Sequence, residues 1–241
     1  MTNIGVVIPA YNEEDGLPRV LRTISSVDWL SKIVLVNDGS TDGTLAVALE
    51  YSNLDERLLV EHSMDNRGKG AALLAGVRRL TEDIEVVIFL DADLIGLSEA
   101  NLVRLCEPII DGRAEMTVAV FCQGYWRTDI SQGVFPNLGG QRCLLRETAL
   151  EALTPLEDSG YGVEIGLTST AKHNRWRVVH VDWQGTTHTQ QEASLGWKKA
   201  FKVRSVMYRQ IMKTWSRTTI HQLQESTESH ALVEKFQRLL D

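Results

Sequence analysis

Long apolar runs are missing from this chain. No stretch of its 241 residues approaches the ~18 apolar positions that a membrane-spanning helix needs. The N-terminal run Ile4-Gly5-Val6-Val7-Ile8 is too short for a secretory signal and is closed by Pro9. Cysteine is scarce. Cys106, Cys122 and Cys143 form an odd, widely spaced set with no CxxC, which argues against a disulfide framework or a zinc site and predicts reduced thiols in a cytosolic protein. Internal repeats and low-complexity linkers are also lacking, with Ser226–Ser229 the one hint of a break. Acidic residues are absent from 193 to 224, where Lys198, Lys199, Lys202, Arg204, Arg209, Lys213 and Arg217 fall. Since the net charge is −7, the rest of the chain is strongly acidic, which disfavours general nucleic-acid binding. The basic segment leaves room for an anionic substrate, a membrane surface or a protein partner.

What is present is ordinary core material: 43% hydrophobic against 24% charged residues, enough for one large domain with an appendage. Short apolar runs at Ile4–Ile8, Ile33–Val36, Leu58–His62 and Val86–Leu90 predict four strands, alternating with helical spacing. A helix is expected from Glu13 through Ile24 with Asn12 as its cap, then one through Leu45 and Leu49, one over Ala71–Leu80 and one over Leu94–Leu105. Further on, Met116–Phe121 reads as a strand, Gln123–Gly140 as a loop, Arg142–Leu153 as a helix, Leu156–Gly162 as a loop, Val163–Lys172 as a helix and Arg177–Trp183 as a closing strand. From Leu195 a helical tail carries Trp197, Phe201, Tyr208 and Trp215 on one stripe. The alternation predicts an α/β fold with a mainly parallel sheet, whose strand-end loops gather along one edge.

Those loops hold the chemistry. Val86–Leu90 ends in Asp91-Ala92-Asp93, two carboxylates suited to a hard cation, because Mg²⁺ takes one or two protein carboxylates and completes its shell with water and phosphates. After the first strand, Pro9-Ala10-Tyr11-Asn12-Glu13-Glu14 offers Tyr11 to stack on a base and Glu13 to accept from ribose or base. Asp38 follows the second strand, where α/β proteins often hold a ribose or base. Arg67-Gly68-Lys69-Gly70 precedes a helix N-terminus, so backbone and ammonium can meet a phosphate there. That segment is neither a Walker loop nor GxGxxG, which removes support for ATP hydrolysis and NAD binding. Four such strand ends suit a nucleoside diphosphate with its cation. At ~4 Å and an effective dielectric near 20, each unit-charge pair is worth about 4 kcal/mol.

VVIPAYNEE, VNDGSTDGT, NRGKGAAL and FLDADL, in this order, resemble the family-2 type of nucleotide-sugar glycosyltransferases with the GT-A fold. The resemblance implies a GT-A, Rossmann-like mixed sheet flanked by helices over 1–192, with a C-terminal helical extension over 193–241. It implies nucleotide contacts from Pro9, Ala10, Tyr11, Glu13, Asp38, Gly68, Lys69, Asp91, Ala92, Gln141 and Arg142. Gly140-Gln141-Arg142, Gly160–Leu167 and His188 are similar to the glucosyl-3-phosphoglycerate synthases. By that likeness His188 joins Asp93 at the metal (Mg²⁺ or Mn²⁺), Glu164 lies by the sugar and Arg142 helps hold an acidic acceptor. Leu144 departs from it, standing where a hydroxyl would meet phosphoglycerate.

The expected activity is a metal-dependent hexosyl transfer from a nucleoside diphosphate sugar to an acceptor hydroxyl, with phosphoglycerate-type and polyprenyl-phosphate acceptors as alternatives. Asp93 serves the metal, and Glu164 and Asp158 compete as catalytic base, which leaves retention and inversion both open. A sugar-phosphate nucleotidyltransferase would want a glycine-rich basic loop after the first strand, which Pro9–Glu13 lacks. A nucleotide-sugar binding module without turnover is the non-enzymatic alternative. The expected location is the cytoplasm, with the 195–217 segment able to reach the inner membrane face or to pair two copies in a homodimer.

Overall fold

The computed structural model describes residues 2–122 and 139–188. Residues 123–138 of the expected Gln123–Gly140 loop, and the helical extension over 193–241, lie outside the described residues.

Seven strands form one sheet in the order β3-β2-β1-β4-β7-β6-β8. β1 (Ile4–Ala10), β2 (Leu30–Asp38), β3 (Leu58–Ser63) and β4 (Val86–Phe89) run parallel, as do β6 (Met116–Cys122) and β8 (Val178–Gln184). β7 (Arg142–Leu145) is antiparallel to both of its neighbours, β4 and β6. Central strands are buried on both faces, so they read as unbroken apolar runs, as in Val86–Phe89.

Two apolar layers sandwich the sheet. On one side α1 (Leu17–Ser25), α2 (Thr44–Ser52) and α4 (Glu99–Ile110) cover Val6, Ile8, Ile33, Leu35 and Ile88. On the other, α3 (Lys69–Arg79), α5 (Arg146–Leu153) and α6 (Val163–His173) cover Val7, Val34, Val87 and Phe89. α1 shows the logic at the residue level: Leu17, Val20, Leu21 and Ile24 recur at helical spacing and all are fully buried. Each such side chain contributes roughly 1.5–3 kcal/mol by leaving water.

The structure corrects four element boundaries. α1 starts at Leu17 and is not capped by Asn12, because Asn12 adopts φ 57° and spends its side-chain oxygen on the Thr41 N–H at 2.8 Å. The helix after Asp93 starts at Glu99: Leu94–Ile95 is a short strand, β5, and Gly96 at φ 75° interrupts the chain before Ser98 forms a capping box with Asn101. Arg142–Leu145 is strand, not the first turn of a helix, because β4 and β6 flank it and both satisfy their backbone groups by pairing with it. Thr154–Gly162 is a 3₁₀ segment where a loop was expected, kinked at Gly160 with φ 55° and ψ −126°.

Candidate active site

The four parallel strands deliver their carboxyl ends to one edge. Ala10 pairs with Asn37, Asn37 with His62 and Val7 with Phe89, so the segments beginning at Tyr11, Gly39, Met64 and Leu90 leave the sheet side by side. Hydrogen bonds stitch the first two of these together. Asn12 N–H donates to Ser40 Oγ at 3.0 Å, Glu13 N–H to Thr44 Oγ1 at 2.7 Å, and Gly43 N–H to Glu14 Oε2 at 2.5 Å. Asp42 accepts from Thr44 at the start of α2, and although burial opposes its charge, these bonds hold its carboxyl below the usual carboxylate range.

Asp38 is 4% exposed and is a hub of the second and third loops. One carboxylate oxygen accepts from Arg67 N–H at 2.8 Å and the other from Gly68 N–H at 2.7 Å. The same residue that was expected at a nucleotide therefore shapes the turn preceding Lys69. Gly68 sits at φ 92°, a conformation that disfavours side chains, and packs against Gly160.

Lys69 stands at the centre. Its Nζ lies 2.7 Å from Asp91 Oδ1 and 2.6 Å from Glu164 Oε1, with 14–19% of each of these three side chains exposed. Gln141 Nε2 donates to the other Asp91 oxygen at 2.6 Å. Gly140 makes this approach feasible, since a Cβ there would fall 2.5 Å from Asp91 Oδ2 and 2.9 Å from Lys69 Nζ. Burial opposes the lysine charge, but the Asp91 and Glu164 carboxylates overcome it and hold the ammonium well above its ordinary value. Four of the expected site residues thus share one hydrogen-bonded cluster.

Arg142 packs beside that cluster, and its charge acts on Glu164. It is 1% exposed, and its guanidinium donates to Gly139 O at 2.9 Å, to Glu164 O at 2.9 Å and to Thr168 Oγ1 at 3.0 Å. Burial pulls its pKa down to about 10, against the favourable charge of Glu164. Its evident work is to tie β7 to α6, on which Glu164 rides. Leu144, its near neighbour, has no exposed surface and belongs to the core.

Asp93 lies in the turn after β4, beside Gly16 and Glu13: a Cβ on Gly16 would sit 3.0 Å from Asp93 Cα, 3.1 Å from Ala92 O and 3.3 Å from Glu13 Oε2. The expected partner His188 arrives from far along the chain. β9 (Thr187–His188) pairs antiparallel with β5, placing the His188 backbone opposite Leu94, one residue beyond Asp93. Tyr11 is 41% exposed at the mouth of the first loop, next to Asn12 and Glu13. Pro9 and Ala10 are the last residues of β1, level with Val36 and Asn37. Asp158 is exposed on the 3₁₀ segment, between Glu157 and Ser159, which lie against Gly70.

One contact escaped the sequence. Arg67 reaches Glu157 at 2.6 Å, joining the Gly68 turn to the 3₁₀ segment across 90 residues. The arginine beside Gly68-Lys69 was a signal; nothing local marked Glu157 as its partner.

Comparison with known proteins bears on this edge. The family model described as "Glycosyl transferase family 2" matches residues 5–136. The chain is 28% identical over 227 residues to a polyprenol monophosphomannose synthase of Mycolicibacterium smegmatis, covering 85% of this chain and 84% of that one. It is 38% identical over 115 residues to an undecaprenyl-phosphate 4-deoxy-4-formamido-L-arabinose transferase of Pectobacterium carotovorum, of which those residues make up 34%. In fold it is similar to glucosyl-3-phosphoglycerate synthase of Mycobacterium tuberculosis, solved with Mn²⁺, uridine diphosphate and glucosyl-3-phosphoglycerate. That likeness has a TM-score of 0.67 at 21% identity, covering 90% of this chain and 80% of the other. The sheet order, the strand-end motifs and the span of the family match agree, and the chain belongs to glycosyl transferase family 2.

Proposed function

We propose that this glycosyltransferase moves a hexose from a nucleoside diphosphate sugar, with Mg²⁺ or Mn²⁺, to an oxygen of a polyprenyl phosphate. The observation that carries the donor half is the gathering of Glu13, Asp38, Lys69, Asp91 and Asp93 along one sheet edge. In this proposal Tyr11 stacks on the base, flanked by Pro9 and Ala10. Asp38 and the Gly68 turn it shapes meet the base edge, and Glu13 and Asp91 take ribose hydroxyls, with Ala92 between the two aspartates. Lys69 and Gln141 hold Asp91 in place, and Glu164 faces the sugar.

In this proposal the Asp93 carboxylate takes either cation and His188 adds a donor better suited to Mn²⁺, and the β5–β9 pair sets the His188 backbone opposite Leu94, the residue after Asp93. Among the described residues no three His, Cys, Asp or Glu side chains form a cage, which fits an ion that takes its remaining ligands from a diphosphate and water. When bound, such an ion offsets the charge that builds on the leaving diphosphate. In the transfer the anomeric carbon–diphosphate bond breaks, its electron pair leaves with the nucleoside diphosphate, and the acceptor oxygen forms the new bond. Asp158, which is exposed, competes with Glu164 as the base where the acceptor oxygen carries a proton.

Arg142 and Leu144 support the choice of acceptor. The guanidinium is committed to Gly139, Glu164 and Thr168, and the leucine is in the core, so neither supports a soluble phosphoglycerate. The basic, aromatic 195–217 segment suits a phosphate at a membrane surface. No helix among the described residues is long and apolar enough to cross a membrane.

The test is a donor panel of radiolabelled nucleoside diphosphate hexoses with Mn²⁺ or Mg²⁺ and either polyprenyl phosphate or 3-phosphoglycerate. Label entering the organic phase only with polyprenyl phosphate is the expected result. Label on phosphoglycerate would reassign the acceptor. Pyrophosphate release from a nucleoside triphosphate would indicate a nucleotidyltransferase, and donor binding without turnover a binding module.

A further inference from the structure

Thr186 has no exposed surface, although it lies in the short connection between β8 and β9. Its hydroxyl sits 3.3 Å from Gly96 O and 3.4 Å from Asn101 Oδ1. Asn101 is itself 4% exposed and is already committed to α4: its Oδ1 accepts from Ser98 N–H at 3.0 Å and from Ser98 Oγ at 2.6 Å. The connection is thus fastened to the capped end of a helix.

Two glycines permit the approach. Gly96 adopts φ 75° and Gly185 φ 72°, both in the left-handed region. A Cβ on Gly96 would collide with Gly185 O, so a side chain there would push the two segments apart. What this close approach produces is the two-residue pairing of β5 with β9, Leu94 opposite His188 and Ile95 opposite Thr187. A two-stranded ribbon is marginal on its own, and this one is far shorter than an ordinary hairpin. Its register therefore depends on what anchors its ends. The Thr186 hydroxyl takes these acceptors in place of water, and a buried hydroxyl left without one would cost about 1–3 kcal/mol.

We propose that Thr186, held through Asn101 and Gly96, is a positioning residue: it fixes the strand that carries His188 beside Asp93 and so sets the affinity of the site for its divalent cation. This rests on the assignment of Asp93 and His188 to the metal. Residues that orient metal ligands without touching the ion typically change metal affinity ~10–100-fold when altered, and Thr186 acts on the ligand's backbone in the same way.

The experiment measures Mn²⁺ binding by electron paramagnetic resonance in the presence of uridine diphosphate, for the wild type, Thr186→Val, Thr186→Ser and His188→Ala, with folding checked by circular dichroism. Thr186→Val should weaken Mn²⁺ binding by ~10-fold or more while remaining folded, and Thr186→Ser should restore it. A merely structural role would lower the melting temperature and leave the Mn²⁺ affinity of the folded protein alone. If His188→Ala weakens binding and Thr186→Val does not, the proposal is overturned and the metal assignment stands. If His188→Ala binds Mn²⁺ as tightly as the wild type, the metal assignment itself fails and the proposal with it. Should the valine variant not fold, Thr186→Ala adds no atoms and carries the same expectation; unchanged Mn²⁺ affinity there overturns the proposal.

Discussion

The Lys69 ammonium and the Glu164 carboxylate meet at 2.6 Å, although 95 residues separate them in the chain. The same ammonium holds Asp91 at 2.7 Å, so one cation joins the end of β4 to the start of α6. Such a half-buried triad is weak evidence for net stability, since desolvating the charges offsets their attraction. Removing its centre is another matter.

Lys69→Met should leave two carboxylates close together without a counter-charge, lowering stability by about 3–5 kcal/mol in urea titrations. Donor turnover should fall with it. The pH dependence has a definite sign. Because the folded pKa of Lys69 lies above its unfolded value, its contribution is complete at neutral pH and is lost only as pH climbs through the alkaline range. Wild-type stability attributable to this group should therefore be flat between pH 6 and 9, roughly a pH unit or more below the ordinary lysine pKa.

Gly140→Ala tests the tightness of the cluster from the other side. The three atoms nearest its Cβ would be the ends of two flexible side chains, Asp91 and Lys69. The side chains can turn aside, so the melting temperature should change little. Their displacement should nevertheless raise KM for the sugar nucleotide, which steady-state kinetics would register.

Arg142→Lys keeps a positive charge but cannot span Gly139, Glu164 and Thr168 together, because an ammonium lacks the planar fork. A loss of about 2–4 kcal/mol is expected, within the range for breaking a buried polar network. Acceptor KM should rise no more than donor KM. A selective rise for the acceptor with stability intact would restore Arg142 as an acceptor anchor.

Asp93→Ala should abolish both transfer and sugar-nucleotide hydrolysis, with folding retained because the residue lies in a turn at the sheet edge. Chelation of divalent cations should do the same to the wild type, and Mn²⁺ or Mg²⁺ should restore it. An unimpaired Asp93→Ala variant would remove the metal from the proposal.

Cys106 and Cys143 are buried, free and 3.8 Å apart at sulfur, and burial pushes the Cys143 thiol upward. In a Cys122→Ser background, native protein should react with a thiol reagent only as fast as it unfolds, since a buried neutral thiol is a poor nucleophile.

Much of this fold was legible in the chain. Val86–Phe89, β1 and β2 are buried on both faces and β3 only in part, so their apolar runs stood out, and each of the four ended in a polar turn that carried Glu13, Asp38, Lys69 or Asp93. β7 was not legible: Arg142–Leu145 passes straight into α5 without a turn residue, and only the open edges of β4 and β6 make it a strand. Asn12 looked like a cap because asparagine usually is one, yet a hydrogen bond to Thr41, 29 residues on, claimed its side chain.

By itself, then, the order of residues determined that a parallel sheet forms and which polar groups its edge receives, because burial on two faces and turn chemistry are local patterns. Tertiary structure alone decided that Lys69 binds Asp91 and Glu164, that Arg142 is buried against α6, and that β9 sets His188 opposite Leu94. Those outcomes depend on which distant charges and hydroxyls share a small, dry volume, and no short window of sequence contains both partners.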